Sequence, residues 1–501
     1  MKNYSSMKKL NKYLLMTLAT AGLLLGCGDA LDVANLNNPD YDTVTDGATA
    51  TPEDMEAVAS GLFNTIFQGE HRYNGPEMML ATAADHATCS HGNAGMWHMS
   101  DEPRNLAWDN TPNYTNELHS RYSYERWYSA IGTAVSVLNN FEETLPVTGN
   151  ERTVAFAKFA LGMAYGNLAL LYDRAHHFDN VVAPDNAFSG AKSYQEVAAI
   201  AVAYLDEAIA LTNGSFSIPA AWLGTTADVS SADFKKIINT SAARILSYMP
   251  RNKAQLNDVD WNKVKTYADN GITADWLIQM DGTTKWYFEA GDYLTYPGWG
   301  RVDMYVVNMM EPSLPQHWEN SPSFPHPAEP ATSLDARLKT DFQYLASNSF
   351  RVDRGYHHFS CYRMSRYDDI YENAIGPKAQ FMLAENDMLR AEARAYTGDL
   401  AGAAAIINAG TRVTRGELAP VAEDLEDIIQ AIHHERHVEL YTTGMGIQFF
   451  EMRKLDLLQT GTPLHLPNPG RILQLFGETS FYTFGTVSKA DGENTSEGGW
   501  R

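Results

Sequence analysis

The chain has 501 residues, 44% hydrophobic and 11% aromatic, with 38 Lys+Arg against 61 Asp+Glu and a net charge of −23. That is enough apolar material for a sizeable core. A surface this acidic repels phosphates, so nucleic acid is excluded as an expected partner and a neutral ligand fits better.

Residues 1–26 read as a lipoprotein signal peptide. Lys2, Lys8, Lys9 and Lys12 form a basic start, and Tyr13 to Leu25 is an apolar run too short to span a bilayer comfortably. The run ends at Leu24-Leu25-Gly26-Cys27, the small-residue-cysteine junction that lipid attachment at Cys27 requires, whereas an ordinary secretory signal would show A-x-A. Cleavage there removes four lysines and leaves 34 basic against 61 acidic residues, a mature net charge of −27. Asp29 stands third in the mature chain, which disfavours inner-membrane retention. The expected product is an outer-membrane protein held by a palmitate-type lipid anchor, since a single acyl chain alone gives weak binding. No second apolar stretch reads as long enough to cross a membrane.

Residues 27–50, rich in Asn, Asp, Thr and Ala, are expected to form the anchor and a flexible tether. A single, mainly α-helical domain is expected over 51–501. Thr51-Pro52-Glu53-Asp54 supplies an N-cap, a proline at the first helical position and acids in the first turn, ahead of a stripe from Met55 to Ile66. The same pattern predicts helices over 122–143, 151–172, 193–211, 232–249, 260–271, 384–397, 400–408 and 425–441. Small residues such as Ala157, Ala160 and Ala164, then Ala391 and Ala395, recur at helix-crossing spacing, in the style of tetratricopeptide-type helix pairs.

Two stretches break the pattern and read as irregular loop insertions, about 68–120 and 273–380. Long loops on a helical scaffold usually carry function. Trp97, Trp108, Tyr296 and Trp299 are the candidate ligand-binding aromatics, with Asp85, His86, Asn93 and Arg301 as polar companions. Burial of the rings under the loops is the competing reading. Beyond Cys27 only Cys89 and Cys361 remain, and whether they pair is left open.

The C-terminal half carries motifs with an architectural sense. Glu435 and Glu439 lie one turn apart on a helix, which predicts ion pairs with Arg390, Arg394, Arg412 or Arg453. His433 and His437 flank Glu435 at i,i+4, but His434-Glu435-Arg436-His437 is not H-E-x-x-H, so no zinc hydrolase is expected; a surface metal pair at these two histidines is the alternative. No G-x-S-x-G elbow, phosphate loop or CxxC pair is present. No catalytic residue, metal or cofactor is therefore assigned, and the chain is expected not to be an enzyme; an anchored hydrolase would need converging carboxylates.

Three segments resemble the SusD/RagB family of outer-membrane nutrient-binding lipoproteins. They are Arg126-Trp127-Tyr128 with Ile131 and Asn139; Glu385-Asn386-Asp387-Met388 with Arg390-Ala391-Glu392-Ala393, Gly398-Asp399, Ile407-Asn408 and Arg412 to Arg415; and Glu435-Arg436, Glu439-Leu440, Phe450-Glu451-Met452-Arg453 and Leu466-Pro467-Asn468-Pro469. Asp335 and Arg337 resemble a further D-x-R element. Ser136 stands where the family usually has Asn, and Glu451 where it has Asp. The resemblance implies a SusD-like fold of four tetratricopeptide-type helix pairs. It further implies a lid on a SusC-like TonB-dependent outer-membrane transporter that presents an oligosaccharide, a glycan fragment or a peptide to it. The rival reading is a tetratricopeptide-type protein-protein interaction scaffold anchored at the outer membrane.

Overall fold

The computed structural model describes residues 50–89, 93–100, 104, 107–178, 190–317, 327–346, 359–485 and 494–501. The signal peptide, Cys27 and the tether lie outside the described residues. The chain divides into two units, Met1–Asp54 and Met55–Arg501, and the second carries the folded scaffold.

The expected helix start at Thr51 is present. The Thr51 hydroxyl accepts from the Asp54 amide at 3.2 Å while Asp54 Oδ2 accepts from the Thr51 amide at 3.0 Å, a reciprocal cap. The expected continuous helix is instead two, Pro52–Ala59 and Leu62–His71, broken at Ser60 and Gly61.

Among the described residues, eight helices of nine or more residues then follow in order: Glu117–Glu143, Glu151–Leu171, Tyr194–Leu211, Ser231–Tyr248, Trp261–Asp269, Leu383–Tyr396, Leu400–Ala409 and Leu425–Val438. Each packs on the next, which makes four consecutive pairs. Small residues set how closely they approach. A Cβ on Gly162 would lie 2.4 Å from Leu205 Cδ2, and one on Gly166 would lie 2.3 Å from Ile245 Cδ1. The Glu151–Leu171 helix therefore touches two neighbours through positions where any side chain would collide. This helix corrects one sequence expectation: it is long and apolar enough to cross a membrane by length and composition. Its most apolar window is 94% buried, so its hydrophobicity serves the core.

Where helix ends are buried, arginines satisfy them. Arg453 donates to the carbonyls of Leu170 and Leu464 through Nη1 and of Tyr248 through Nη2, and Arg251 donates to Ala169 and Tyr172. The orphan carbonyls ending Glu151–Leu171 and Ser231–Tyr248 thus meet positive charge, which also suits the helix dipole.

The ion pairs of Glu435 and Glu439 do form, but with other arginines than those expected. Glu435 binds Arg337 at 2.7 Å, and Glu439 binds Arg337 at 3.1 Å, Arg415 at 2.5 Å and Arg366 at 3.0 Å. Arg390 and Arg394 turn to Asp269 instead. A second buried group joins Glu392 and Glu451 to Arg436 and Lys454. Burial opposes ionisation of Glu392, but the charges of Arg436 and Lys454 outweigh it and hold the carboxyl below its usual range.

The 273–380 insertion is more ordered than its sequence pattern suggests. Strand Ile375–Phe381 pairs antiparallel with Trp276–Asp281, closing the insertion at its base, and Phe342–Tyr344 pairs with Tyr362–Met364. A third pairing joins the two insertions: Ala87–Cys89 runs antiparallel to Gly300–Val302, with Thr88 opposite Arg301 and Cys89 opposite Gly300. Cys361 is buried, and the side chain of Cys89 lies outside the described residues.

Candidate functional site: an aromatic surface over a buried polar floor

The ladder between Ala87–Cys89 and Gly300–Val302 brings the two candidate loop regions side by side. On one side the Glu289–Thr295 helix ends at Tyr296, whose amide donates to Asp292 O at 2.8 Å, and the chain turns sharply. The amides of Trp299 and Gly300 both donate back to Tyr296 O, at 3.0 and 3.1 Å. This places Tyr293, Tyr296 and Trp299 together. Trp299 stacks on Tyr293 with centroids 4.4 Å apart and an interplanar angle of 23°, and Tyr296 tilts against Trp299 at 4.8 Å. Tyr73, just past the Leu62–His71 helix, extends the row, 5.0 Å from Tyr293. The Tyr73 amide donates to Glu289 Oε2 at 2.9 Å, which fixes its place beside that helix.

The four rings are exposed or half-buried, Tyr296 at 49%. Exposed aromatic faces of this kind offer flat apolar contact with polar edges, as ligands that alternate apolar faces and hydroxyls require. Trp97 is exposed to the same degree on the Met96–Ser100 helix, which packs on the Ala87–Cys89 strand.

Trp108, Arg301, Asp85 and His86, the other sequence candidates whose side chains are described, are buried. Trp108, expected as a ligand-binding ring, is 1% exposed. It packs edge-on against Tyr114 at 5.1 Å and lies under Gly95, where a Cβ would approach its ring to 3.2 Å. Trp108 is thus the floor under the turn that carries Trp97. Arg301 is also buried, with Nη1 donating to the carbonyls of Pro297 at 2.6 Å and Gly300 at 2.7 Å, so it braces the Tyr296–Gly300 turn from inside. Burial lowers its pKa to about 10.

Asp85 is buried and saturated by Arg104 at 2.7 Å, Gln459 at 2.9 Å and Trp500 Nε1 at 2.6 Å. His86 is buried against Tyr441 at 4.0 Å and His437 at 5.4 Å, with neither ring nitrogen hydrogen-bonded among the described residues; burial pushes its pKa down to about 3. These four positions are therefore closed to solute, because each side chain is spent on the core. Asn93 begins a 3-10 turn, and its side chain lies outside the described residues.

His433 and His437 are 9% and 0% exposed, so they are not the surface pair that their spacing suggested. Among the described residues no group of three His, Cys, Asp or Glu side chains is placed to hold a metal ion.

Sequence reasoning missed Tyr73 and Tyr293. The signal for Tyr293 was present, since Tyr293, Tyr296 and Trp299 recur every third residue across a Pro-Gly turn. Tyr73 had none, because it reaches the row only through tertiary packing.

No protein-family model and no curated protein matches the sequence. Solved structures do match its fold. A SusD superfamily protein from Parabacteroides distasonis aligns with a TM-score of 0.58 at 12% identity, covering 89% of this chain and 93% of that one. A SusD superfamily protein from Bacteroides vulgatus gives 0.56 at 13% identity, covering 80% and 88%. A SusD-like carbohydrate binding protein from Bacteroides fragilis gives 0.55 at 14% identity, covering 87% and 94%. The fold of this chain is SusD-like and mainly α.

Proposed function

We propose that the chain is an outer-membrane lipoprotein, anchored through Cys27, that binds an oligosaccharide and passes it to a SusC-like TonB-dependent transporter. The observation that carries this reading is the solvent-accessible row of the half-buried Tyr73, Tyr293 and Trp299 and the exposed Tyr296 on a SusD-like fold. The description of the Bacteroides fragilis neighbour as a carbohydrate binding protein supports the ligand class. A sugar ring would lay its apolar face on Trp299 or Tyr296, and its hydroxyls would meet the polar edges around them. Trp97 and Asn93 belong to the neighbouring segment and would extend the contact. Ligand would favour a closed lid on the transporter only insofar as it touches both proteins.

Calorimetric titration with a panel of neutral oligosaccharides and peptides tests the ligand class. Saturable glycan binding that Tyr296→Ala and Trp299→Ala weaken is the expected result, and binding of peptides alone would refute it. The anchor has its own test: Cys27→Ala should release the protein from outer-membrane fractions.

A further inference from the structure

The Leu425–Val438 helix carries an apolar stripe broader than its core contact. The centre of the stripe, Ile428, Ala431 and Ile432, is buried against Met388, Ala391 and Ala403 of the preceding helices. Its edge, Leu425 and Ile429 one turn apart with His433 a further turn on, lines a cleft of about 770 Å³, and Ile429 also packs against that core. Leu256, Leu455 and Leu457 supply the rest of the apolar lining. Leu425 is 43% exposed, and Ile429, Leu455 and Leu457 are half-buried. A cleft of this size lies within the range of ligand sites, roughly 300–1,000 Å³. Aliphatic side chains lining an open cleft give a ligand's apolar groups a place to bury.

The charge around the stripe is one-sided. Asp424 and Glu426 line the cleft, Glu423 and Asp427 stand exposed beside them, and among the described residues Lys253 and His433 are the basic side chains in the lining. Asp424 Oδ1 accepts from the amides of Glu426 at 2.9 Å and Asp427 at 3.2 Å, so its charge is held at the cleft mouth by the helix start.

We propose that this cleft docks a basic amphipathic segment of a partner polypeptide. Aliphatic side chains at helical spacing would fill the space between Leu425, Ile429 and the three leucines, and flanking Lys or Arg residues would face the acidic mouth. The proposal does not depend on the aromatic surface, which lies on other elements of the fold.

Fluorescence anisotropy of a labelled leucine-lysine amphipathic peptide against the full chain tests it. The expected result is saturable one-to-one binding, weakened about tenfold or more by Leu425→Lys and by Glu426→Lys. Both positions are exposed, and unchanged melting temperatures would verify that both variants fold. Glu142→Lys, an equal charge change on a distant exposed helix face, should leave binding intact, as should Tyr296→Ala. Absence of saturable binding would overturn the proposal. So would equal weakening by Glu142→Lys, or equal affinity for an all-lysine peptide, since either reduces the effect to net charge. Self-association abolished by Leu425→Lys, without peptide binding, would assign the cleft to a second copy of the chain and equally overturn it.

Discussion

Arg337 donates through Nη2 to Glu435 Oε1 at 2.7 Å, and the two side chains, 0% and 1% exposed, are ninety-eight residues apart in the sequence. The guanidinium also forks onto Asp335 and reaches Glu439. A buried charge of this kind is tolerable only while it is paired. Glu435→Ala removes one of the three carboxylates that offset the buried Arg337 charge and takes the acceptor from the Thr411 hydroxyl, and the expected cost is about 3–5 kcal/mol of stability. Chemical denaturation would measure it. A variant that unfolds at the wild-type midpoint yet loses ligand would show that Glu435 acts in binding.

The second group allows a sharper test, because its charges balance: Glu392 and Glu451 face Arg436 and Lys454. Glu392→Leu or Lys454→Met alone leaves one buried charge short of a partner. The double variant removes a charge of each sign and should cost less than the sum of the singles, with a coupling of ~1–3 kcal/mol in a double-mutant cycle. Strict additivity would mean that the two side chains do not interact.

Two buried histidines set opposite pH limits. His86 has its folded pKa lowered from 6.5 to about 3 by burial, so it must stay neutral; the unfolded chain takes up its proton first, and stability falls as pH drops from 6.5 toward 3. His71 is raised to about 9: burial opposes its charge, but Glu70 and Glu77 on either side outweigh that. Its contribution is full below pH 6.5 and is lost as pH rises toward 9. Stability should therefore peak near pH 6–7. His119, His437 and His465 are pushed down by burial in the same way and share the acid limb, so His86→Phe should make that limb shallower and leave the alkaline one, as a melting-temperature profile would reveal.

The helices were legible because each carries a 3.6-residue apolar stripe and terminal signals that act locally. The expected 151–172 and 400–408 differ from the observed Glu151–Leu171 and Leu400–Ala409 by one residue. What escaped is non-local. The partners of Glu435 and Glu439 were sought among Arg390, Arg394, Arg412 and Arg453, yet the decisive one is Arg337, which only the folded chain brings near. Strand Trp276–Asp281 looked irregular because its partner, Ile375–Phe381, lies at the far end of the insertion. At the site, Trp97 and Trp108 have similar sequence surroundings, and only the turn at Gly95, with Trp108 packed beneath it, separates the exposed ring from the buried one.

Gly300 links the scaffold to the aromatic row. A Cβ there would lie 2.0 Å from Leu294 O, a backbone atom that cannot rotate away. Gly300→Ala should push the Tyr296–Gly300 turn off its helix, costing ~1–3 kcal/mol of stability. Because Trp299 is the adjacent residue, oligosaccharide affinity should fall as well. Unaltered affinity in a destabilised Gly300→Ala protein would detach the turn from ligand binding.

The aromatic positions divide by exposure, and that division predicts two phenotypes. Tyr296 and Trp97 are each 49% exposed, and Trp299 is half-buried against Tyr293, so alanine at these positions removes contact surface without opening the core. Tyr296→Ala and Trp299→Ala should each weaken oligosaccharide binding by ~2 kcal/mol or more if they are central contacts, with melting temperatures close to wild type. Trp97→Ala should weaken it less if Trp97 sits at the rim, where surrounding contacts exclude water but carry little energy. Trp108 is enclosed, and Trp108→Ala should cost roughly 3–5 kcal/mol of stability instead. Its effect on affinity should appear only through the loosened turn beneath Trp97. Measuring affinity and melting temperature on the same four variants separates these outcomes. Full affinity in both Tyr296→Ala and Trp299→Ala would remove the aromatic row from ligand binding, whatever Trp108→Ala does to the fold.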